Sequence, residues 1–399
     1  MRRFLTLPLI VMLGLLAGAG ACLILGTCGG VGASNQPRHI DGLRVVSVAA
    51  GLDHPWGLAF LPDGRMLITE RPGRLRVVDA QGQLDPTPIT GLPVVQDAGQ
   101  GGLLDVAIDP DYATQPWIYW TYAEPGHGDE AGLAGTAVAR GQLADGRMTR
   151  IEVLYRQVPK VKGTGHFGSR LVFARDKTLF VTLGERQQDS PARPTRQHAQ
   201  NVAKSLGKVV RILRDGSIPP DNPRFEGAGA LPELWSIGHR NPQGAALHPT
   251  TGALWLHEHG PQGGDEVNLV LPGRNYGWPL VSYGCPYGSL PGEGCQVQGG
   301  SHAPTYEEPL TTWTPFSIAP SGMAFNTGTR YPGWQGQLFI GALAGEALWR
   351  LTLDGNKVVA REPLLKGRVG RIRDVRLGPD GWLYLLTDSD DGRLLRLER

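Results

Sequence analysis

The feature that most constrains this chain is a unit that recurs six times: a short apolar strand, a turn rich in Pro, Asp and Gly, then a second apolar strand. The copies run over Gly57–Glu70, Leu104–Tyr122, Arg170–Leu183, Gly244–Leu256, Gly322–Gly341 and Asp374–Leu386. In the first and last the turn reads Pro62-Asp63-Gly64 and Pro379-Asp380-Gly381. Proline fixes the backbone at the start of such a turn, and glycine supplies the positive φ that ends it. Several copies continue into a third apolar strand: Arg74–Val78, Lys208–Leu213, Ala347–Leu351 and Arg393–Leu397. No helical periodicity intervenes.

Strand–turn–strand units of this size are propeller blades, so the expectation is an all-β fold, a six-bladed β-propeller over residues 40–399. The abundance of glycine (57) and proline (32) agrees with many short strands and tight turns. Leu43–Val48 precedes the first copy and is expected to supply the outer strand of the last blade, closing the ring without a bare edge. An open β-sandwich would leave the six copies unexplained.

Residues 1–33 read differently. Met1-Arg2-Arg3 is followed by an uncharged apolar run to about Gly26, the pattern of an export signal. Ala19-Gly20-Ala21-Cys22 loosely resembles a lipoprotein cleavage box, and the run is long enough for an uncleaved anchor. A periplasmic or otherwise exported protein is expected, with lipid or membrane anchoring through the leader as a variant. Of 39 basic residues only Arg2 and Arg3 lie in this leader, so the remainder balances 37 acidic ones. A neutral chain lacks the basic face that nucleic-acid binding needs. In an oxidising compartment Cys285 and Cys295, in one Gly/Pro-rich loop, are expected to pair as a local disulfide; free thiols are the alternative.

Equivalent points of the blades lie at equivalent heights around one axis. The segments just before each first strand read His54-Pro-Trp56, Gly99–Gly102, Gly163–Gly168, His239–Gln243, Ala319–Ser321 and Gly370–Arg373. They should meet at one mouth of the central channel, with Gln100, His166, Arg240, Asn241, Arg371 and Arg373 around it. Three arginines at one rim point to a ligand bearing carboxylates or phosphates; structural ion pairs, for instance with Asp374 or Glu362, are the plainer reading. Arg371 and Arg373, two apart on an extended segment, should face the same side. An imidazole at this mouth, His166, can serve as a general base. His257 and His259 share a strand face, but no third ligand follows at zinc spacing. The loop Gly260–Glu266, followed by Asn275-Tyr276-Gly277, suits a hard cation such as calcium better; acidic Gly-rich loops are also plain turns.

Six stretches carry a resemblance: Gly99–Asp105, Gly165–Leu171, Arg240–Gly244, Glu258–Glu266, Asn275–Pro279 and Arg371–Val375. From about residue 43 to the end the chain resembles the soluble quinoprotein sugar dehydrogenases, most closely the bacterial aldose sugar dehydrogenase branch. The resemblance implies a six-bladed propeller that oxidises the C1 hydroxyl of aldoses to lactones with pyrroloquinoline quinone (PQQ) and Ca2+, passing electrons to an external acceptor. By that likeness His166 matches the base that takes the C1 hydroxyl proton, and Arg240 the arginine over the quinone carbonyls. Gln100, Asn241, His259, Arg371 and Arg373 match cofactor-binding positions. Gly260 and Pro261 resemble carbonyl donors of the calcium on PQQ, and Glu266 and Tyr276 resemble ligands of a second, structural calcium.

Two positions depart from the family. Gly165 stands where the glucose dehydrogenases carry an acidic residue, and Ala344 where they carry a cofactor-binding lysine, which should weaken cofactor affinity or shift the load onto Arg371 and Arg373. Tyr283–His302 reads as a substrate-facing insertion. Two rivals are a calcium-dependent lactonase-type hydrolase on a six-bladed propeller, whose axial metal would gather carboxylates and asparagines, and a non-catalytic sugar-binding propeller.

Overall fold

The computed structural model describes residues 38–399 apart from Pro194 and Glu293, so the leader lies outside the described residues. Six antiparallel sheets follow one another along the chain. Blade 1 is Pro55–Phe60, Met66–Glu70 and Arg74–Val78; blade 2 is Leu103–Ile108, Ile118–Pro125, Ala134–Ala144 and Arg147–Arg156. Blade 3 is Gly168–Phe173, Leu179–Leu183, Lys208–Ile212 and Leu234–Ile237, joined by the parallel strand Arg274–Asn275. Blade 4 is Pro242–Leu247, Leu254–Glu258, Asp265–Val270 and Thr311–Trp313; blade 5 is Pro320–Phe325, Leu338–Ala342, Leu348–Asp354 and Lys357–Leu364. Blade 6 is Ile372–Leu377, Leu383–Thr387 and Gly392–Glu398, completed by Leu43–Leu52 and then Arg38–Ile40. Ring closure by the N-terminal strand is therefore as the repeat requires: Val45 pairs with Leu397 and Ser47 with Leu395.

Glu266 departs from its expected setting. The stretch Gly260–Glu266 is not all loop: Asp265 and Glu266 open the third strand of blade 4, which the sequence reading had not separated from the turn before it.

The core lies between blades rather than within one. Leu58, Ile68 and Val78 of blade 1 pack on Leu386 and Leu394 of blade 6, and comparable buried clusters fill the other five junctions. Each blade is apolar on both faces because both neighbours cover it, so the second strands read as nearly continuous apolar runs such as Leu179–Leu183.

The first strand of every blade lines the axis, and in all six its register against the second strand shifts near its start. Such irregularities bend the strand and re-aim side chains. They turn the entry segments toward one end of the channel, where the site is built.

Candidate functional site

His166 precedes blade 3 at φ 51°, a left-handed conformation that non-glycine residues adopt only when their surroundings impose it. The imposition is visible. Its N–H donates to Gln100 Oε1 at 2.8 Å, and its carbonyl accepts from the Arg186 N–H at 3.1 Å. Its ring Nδ1 lies 2.5 Å from Glu185 Oε1. With Nδ1 facing a carboxylate, that nitrogen carries the proton and Nε2 keeps its lone pair. Burial, with the charges of Arg240 and Arg186, holds His166 well below its usual value; burial pushes Glu185 up to about 7. The imidazole is thus a neutral acceptor backed by a carboxylic group that titrates near neutrality.

Glu185 escapes the sequence reading, as do two arginines, because only the segments before first strands were compared. The segments that end second strands carry an equally clear signal: Glu70-Arg71, Glu185-Arg186, Glu258-His259 and, in blade 6, Asp388. Each of these carboxylates clamps the polypeptide around the mouth. Glu70 accepts from the Asp53 N–H (2.8 Å), Glu258 from the Arg240 N–H (2.5 Å) and His239 Nδ1 (2.8 Å), and Glu185 from the Asp189 N–H (2.8 Å).

Arg371 and Arg373 do face the same side and share the Asp388 carboxylate, at 2.9 and 3.1 Å. For these two of the three rim arginines the ion-pair alternative holds in the structure, with Asp388 as the partner in place of Asp374 or Glu362. Arg371 is exposed, whereas Arg373 is buried and also donates to Gln243 Oε1 (2.9 Å). Although burial opposes it, the two guanidiniums hold Asp388 down at about 2. Arg240, by contrast, donates to the carbonyls of His259 (3.2 Å) and Gly260 (2.8 Å) and to the Tyr287 hydroxyl (3.1 Å). Arg71 donates to Gly99 O and Arg186 to Gly163 O. None of these three meets a carboxylate among the described residues, and each has a buried Nε with no partner.

Asn241 is fully buried; its Oδ1 accepts from the Gly168 N–H (3.1 Å) and its amide faces His259 Nδ1 at 3.4 Å. His259 Nε2 donates to Pro320 O at 2.8 Å, and burial holds its ring at about 3. Gln100, Asn241 and His259 thus tie blades 2, 3, 4 and 5 together beneath the mouth. A cleft of about 370 Å3 opens above them, lined by His166, Glu185, Gln187, Arg240, Pro261, Trp278 and Tyr287 among others. At Gly165 a Cβ would lie 2.5 Å from the Gln187 carboxamide, so Gln187 fills the space an acidic side chain would take.

The oxygen donors fall in two places. The Gly260 carbonyl accepts from the Arg240 guanidinium, and Pro261, the next residue, lines the cleft. Glu266 lies in a small cavity of about 10 Å3 with Glu258, Gly260, Tyr276 and His302, room for one water-sized guest, and Arg240 lines both this cavity and the cleft. Burial and the nearby Glu258 push Glu266 well above the usual carboxylate range, a load that a cation there would relieve. The Tyr276 hydroxyl is committed to Leu269 O (2.6 Å) and the Leu271 N–H (2.9 Å), so a cation here would take the Tyr276 carbonyl rather than its side chain. Asp265 is likewise occupied, by the Gly260, Ile318 and Ala319 N–H groups and the Ser317 hydroxyl. Among the described residues no three His, Cys, Asp or Glu side chains are grouped to hold a metal. Cys285 and Cys295 are joined as a disulfide.

A six-bladed propeller with a buried imidazole–carboxylate pair beside an arginine-bearing cleft has the layout of an enzyme-type propeller rather than of a bare scaffold. Within that class the family model for glucose / sorbosone dehydrogenase matches residues 52–396, and the chain belongs to that family of sugar-oxidising oxidoreductases. It is 46% identical over 351 residues to aldose sugar dehydrogenase YliI of Escherichia coli (strain K12), covering 87% of this chain and 90% of that protein. It is 29% identical over 422 residues to quinoprotein glucose dehydrogenase B of Acinetobacter calcoaceticus, covering 86% of each. The PQQ-bound form of the Streptomyces coelicolor aldose sugar dehydrogenase superposes with a TM-score of 0.71 at 30% identity, over 91% of this chain and 99% of that one. The protein is a dehydrogenase of this family, similar to the aldose sugar dehydrogenases.

Proposed function

We propose that this protein oxidises the C1 hydroxyl of aldoses to lactones, with PQQ as the acceptor and Ca2+ as the Lewis acid. The observation that carries the reading is a neutral buried imidazole, backed by Glu185, that shares one cleft with the Arg240 guanidinium, whose hydrogen bonds go to carbonyls and a hydroxyl rather than to a carboxylate. A buried cation with no direct carboxylate partner is costly, and a tricarboxylate would supply one. Arg240, Arg71 and the Arg371/Arg373 pair would hold such a guest, with Gln100, Asn241 and His259 fixing the floor. The Gly260 and Pro261 carbonyls would hold one calcium; Glu266 and the Tyr276 carbonyl would hold a second, structural one. When bound, the quinone supplies a two-electron sink and its calcium the polarisation that makes it electrophilic.

The chain's own part is proton handling and orientation. His166 Nε2 takes the proton of the C1 hydroxyl as the hydride leaves that carbon, and Glu185 stabilises the imidazolium that forms. Arg240 places positive charge where negative charge develops. A separate acceptor recovers the electrons. Export to the periplasm, with or without an anchor, suits a disulfide-bearing chain with this leader.

The test is dye reduction by a panel of aldoses with purified protein, with and without PQQ and calcium. Activity that requires both and falls by about 100- to 10,000-fold on His166→Ala, with PQQ still bound, is the expected result. Lactone hydrolysis without PQQ would instead favour the hydrolase reading.

A further inference from the structure

The Tyr283–His302 insertion places one aromatic ring in an unusual position. Tyr287 is 72% exposed, among the most exposed large apolar side chains described. It nevertheless lines the cleft that contains His166 and Arg240. Exposed aromatics commonly sit on loose loops, but this loop is held at several points. Cys285 N–H and C=O pair with Gln262 at 3.0 Å each, the Gln262 carboxamide donates to Ser289 O at 2.7 Å, and the disulfide to Cys295 closes the base. At its far edge the ring is pinned by the Arg240 bond to its hydroxyl, with the guanidinium 5.8 Å from the ring centroid. A rigidly mounted ring with an open face, beside a proton acceptor, meets the requirement for stacking against a flat amphipathic guest.

We infer that Tyr287 is the sugar platform of this enzyme: the C–H face of the aldose ring packs on it, which sets the affinity for pyranoses. This rests on the dehydrogenase reading and deepens it. An aldose presents an apolar face of axial C–H groups and a polar rim of hydroxyls. An aromatic body with a polar tip matches that division, and rigidity limits the entropy lost on binding. The opposite wall, Ser190–Arg193, offers polar partners for the distal hydroxyls. Because the platform lies beside the reacting atoms and is not one of them, it contributes to ground and transition states alike, which raises affinity without changing turnover.

The experiment uses PQQ- and calcium-loaded protein and the variants Tyr287→Ala and Tyr287→Phe, with two readouts. Steady-state kinetics should show KM for aldopyranoses raised about tenfold in Tyr287→Ala at nearly unchanged kcat, and near-normal values in Tyr287→Phe. Saturation-transfer NMR with 1,5-anhydroglucitol, which lacks the C1 hydroxyl, should show transfer to its ring C–H protons in the unsubstituted protein and in Tyr287→Phe, lost in Tyr287→Ala. Unchanged KM and unchanged transfer in Tyr287→Ala overturn the platform while leaving the dehydrogenase reading intact. Tyr287-dependent transfer in a protein that reduces no dye with any aldose overturns the dehydrogenase reading and supports the platform.

Discussion

One channel holds two sets of arginines that differ in a single respect. Deep on the axis, Arg170 and Arg376 face Asp105 and Asp374: Arg170 lies 3.0 Å from each aspartate, and Arg376 lies 2.6 and 2.9 Å from them. Arg170 and both aspartates are all but fully buried. The spare carboxylate oxygens accept from the Leu58 and Leu171 N–H groups of other blades, so the knot ties blades 1, 2, 3 and 6 at their inner strands. At the mouth, Arg71, Arg186 and Arg240 find carbonyls and a hydroxyl but no carboxylate. The difference teaches that arginine content at a channel says little about ligands until each charge is matched to its partner. A balanced knot is architecture, whereas unbalanced charge held in place by neutral acceptors is available to a guest.

Three substitutions break or sharpen that contrast. The largest effect is expected from Asp105→Ala, which leaves Arg170 and Arg376 with half their counter-charge in a buried site. A loss of about 3–5 kcal/mol in unfolding free energy is expected from denaturant titration, with cofactor affinity in the surviving folded fraction little altered. Arg240→Leu should do the opposite. Stability should stay within about 1 kcal/mol or rise, since an uncompensated buried cation is removed, while PQQ affinity measured by absorbance titration falls about tenfold or more. If both substitutions cost stability equally, the distinction between knot and mouth fails. The smallest effect concerns pH. With His166 already neutral, ionisation of Glu185 near 7 governs the support given to the imidazolium, so kcat/KM should rise with pH through about 7 and the limb should vanish in Glu185→Gln. Because the folded-state value of Glu185 is raised, the native state binds the extra proton between about 4.5 and 7. The same ionisation therefore lowers stability as pH rises across that window, and the Gln variant should lose this slope.

Much of this architecture was legible in the sequence. Apolar strand runs and Pro-Asp-Gly turns report local backbone preference, so the repeat reveals the blades and the closing strand, and phase within the repeat locates His166, Arg240 and the Arg371/Arg373 pair. Partners were not legible. Arg376 meets Asp105 across 271 positions and Arg373 meets Gln243 across 130, and no local pattern encodes which of many acids a given arginine will meet once the ring closes. Glu185 and Arg71 lay within reach of the same phase argument applied to the other end of each repeat. Tyr276 shows the remaining limit: resemblance named it as a ligand without saying which atom, and only the folded blade shows its hydroxyl committed to the backbone of Leu269 and Leu271.

The seam of the ring sets the order in which this protein can be made. Arg44 and Glu398 are partners separated by 354 positions, so Leu43–Leu52, which Arg38–Ile40 flanks on one edge, gains its second neighbour only when Gly392–Glu398 has been made. Closing so long a loop costs only logarithmically in length, roughly 5 kcal/mol, which the extended pairing and the packing of Leu43 and Val45 readily outweigh. Until then the nascent chain carries an unsatisfied ribbon through almost the whole of synthesis. Substitutions that weaken Gly392–Glu398 should therefore open the ring at this one joint, because no other blade is assembled from strands so far apart in the chain.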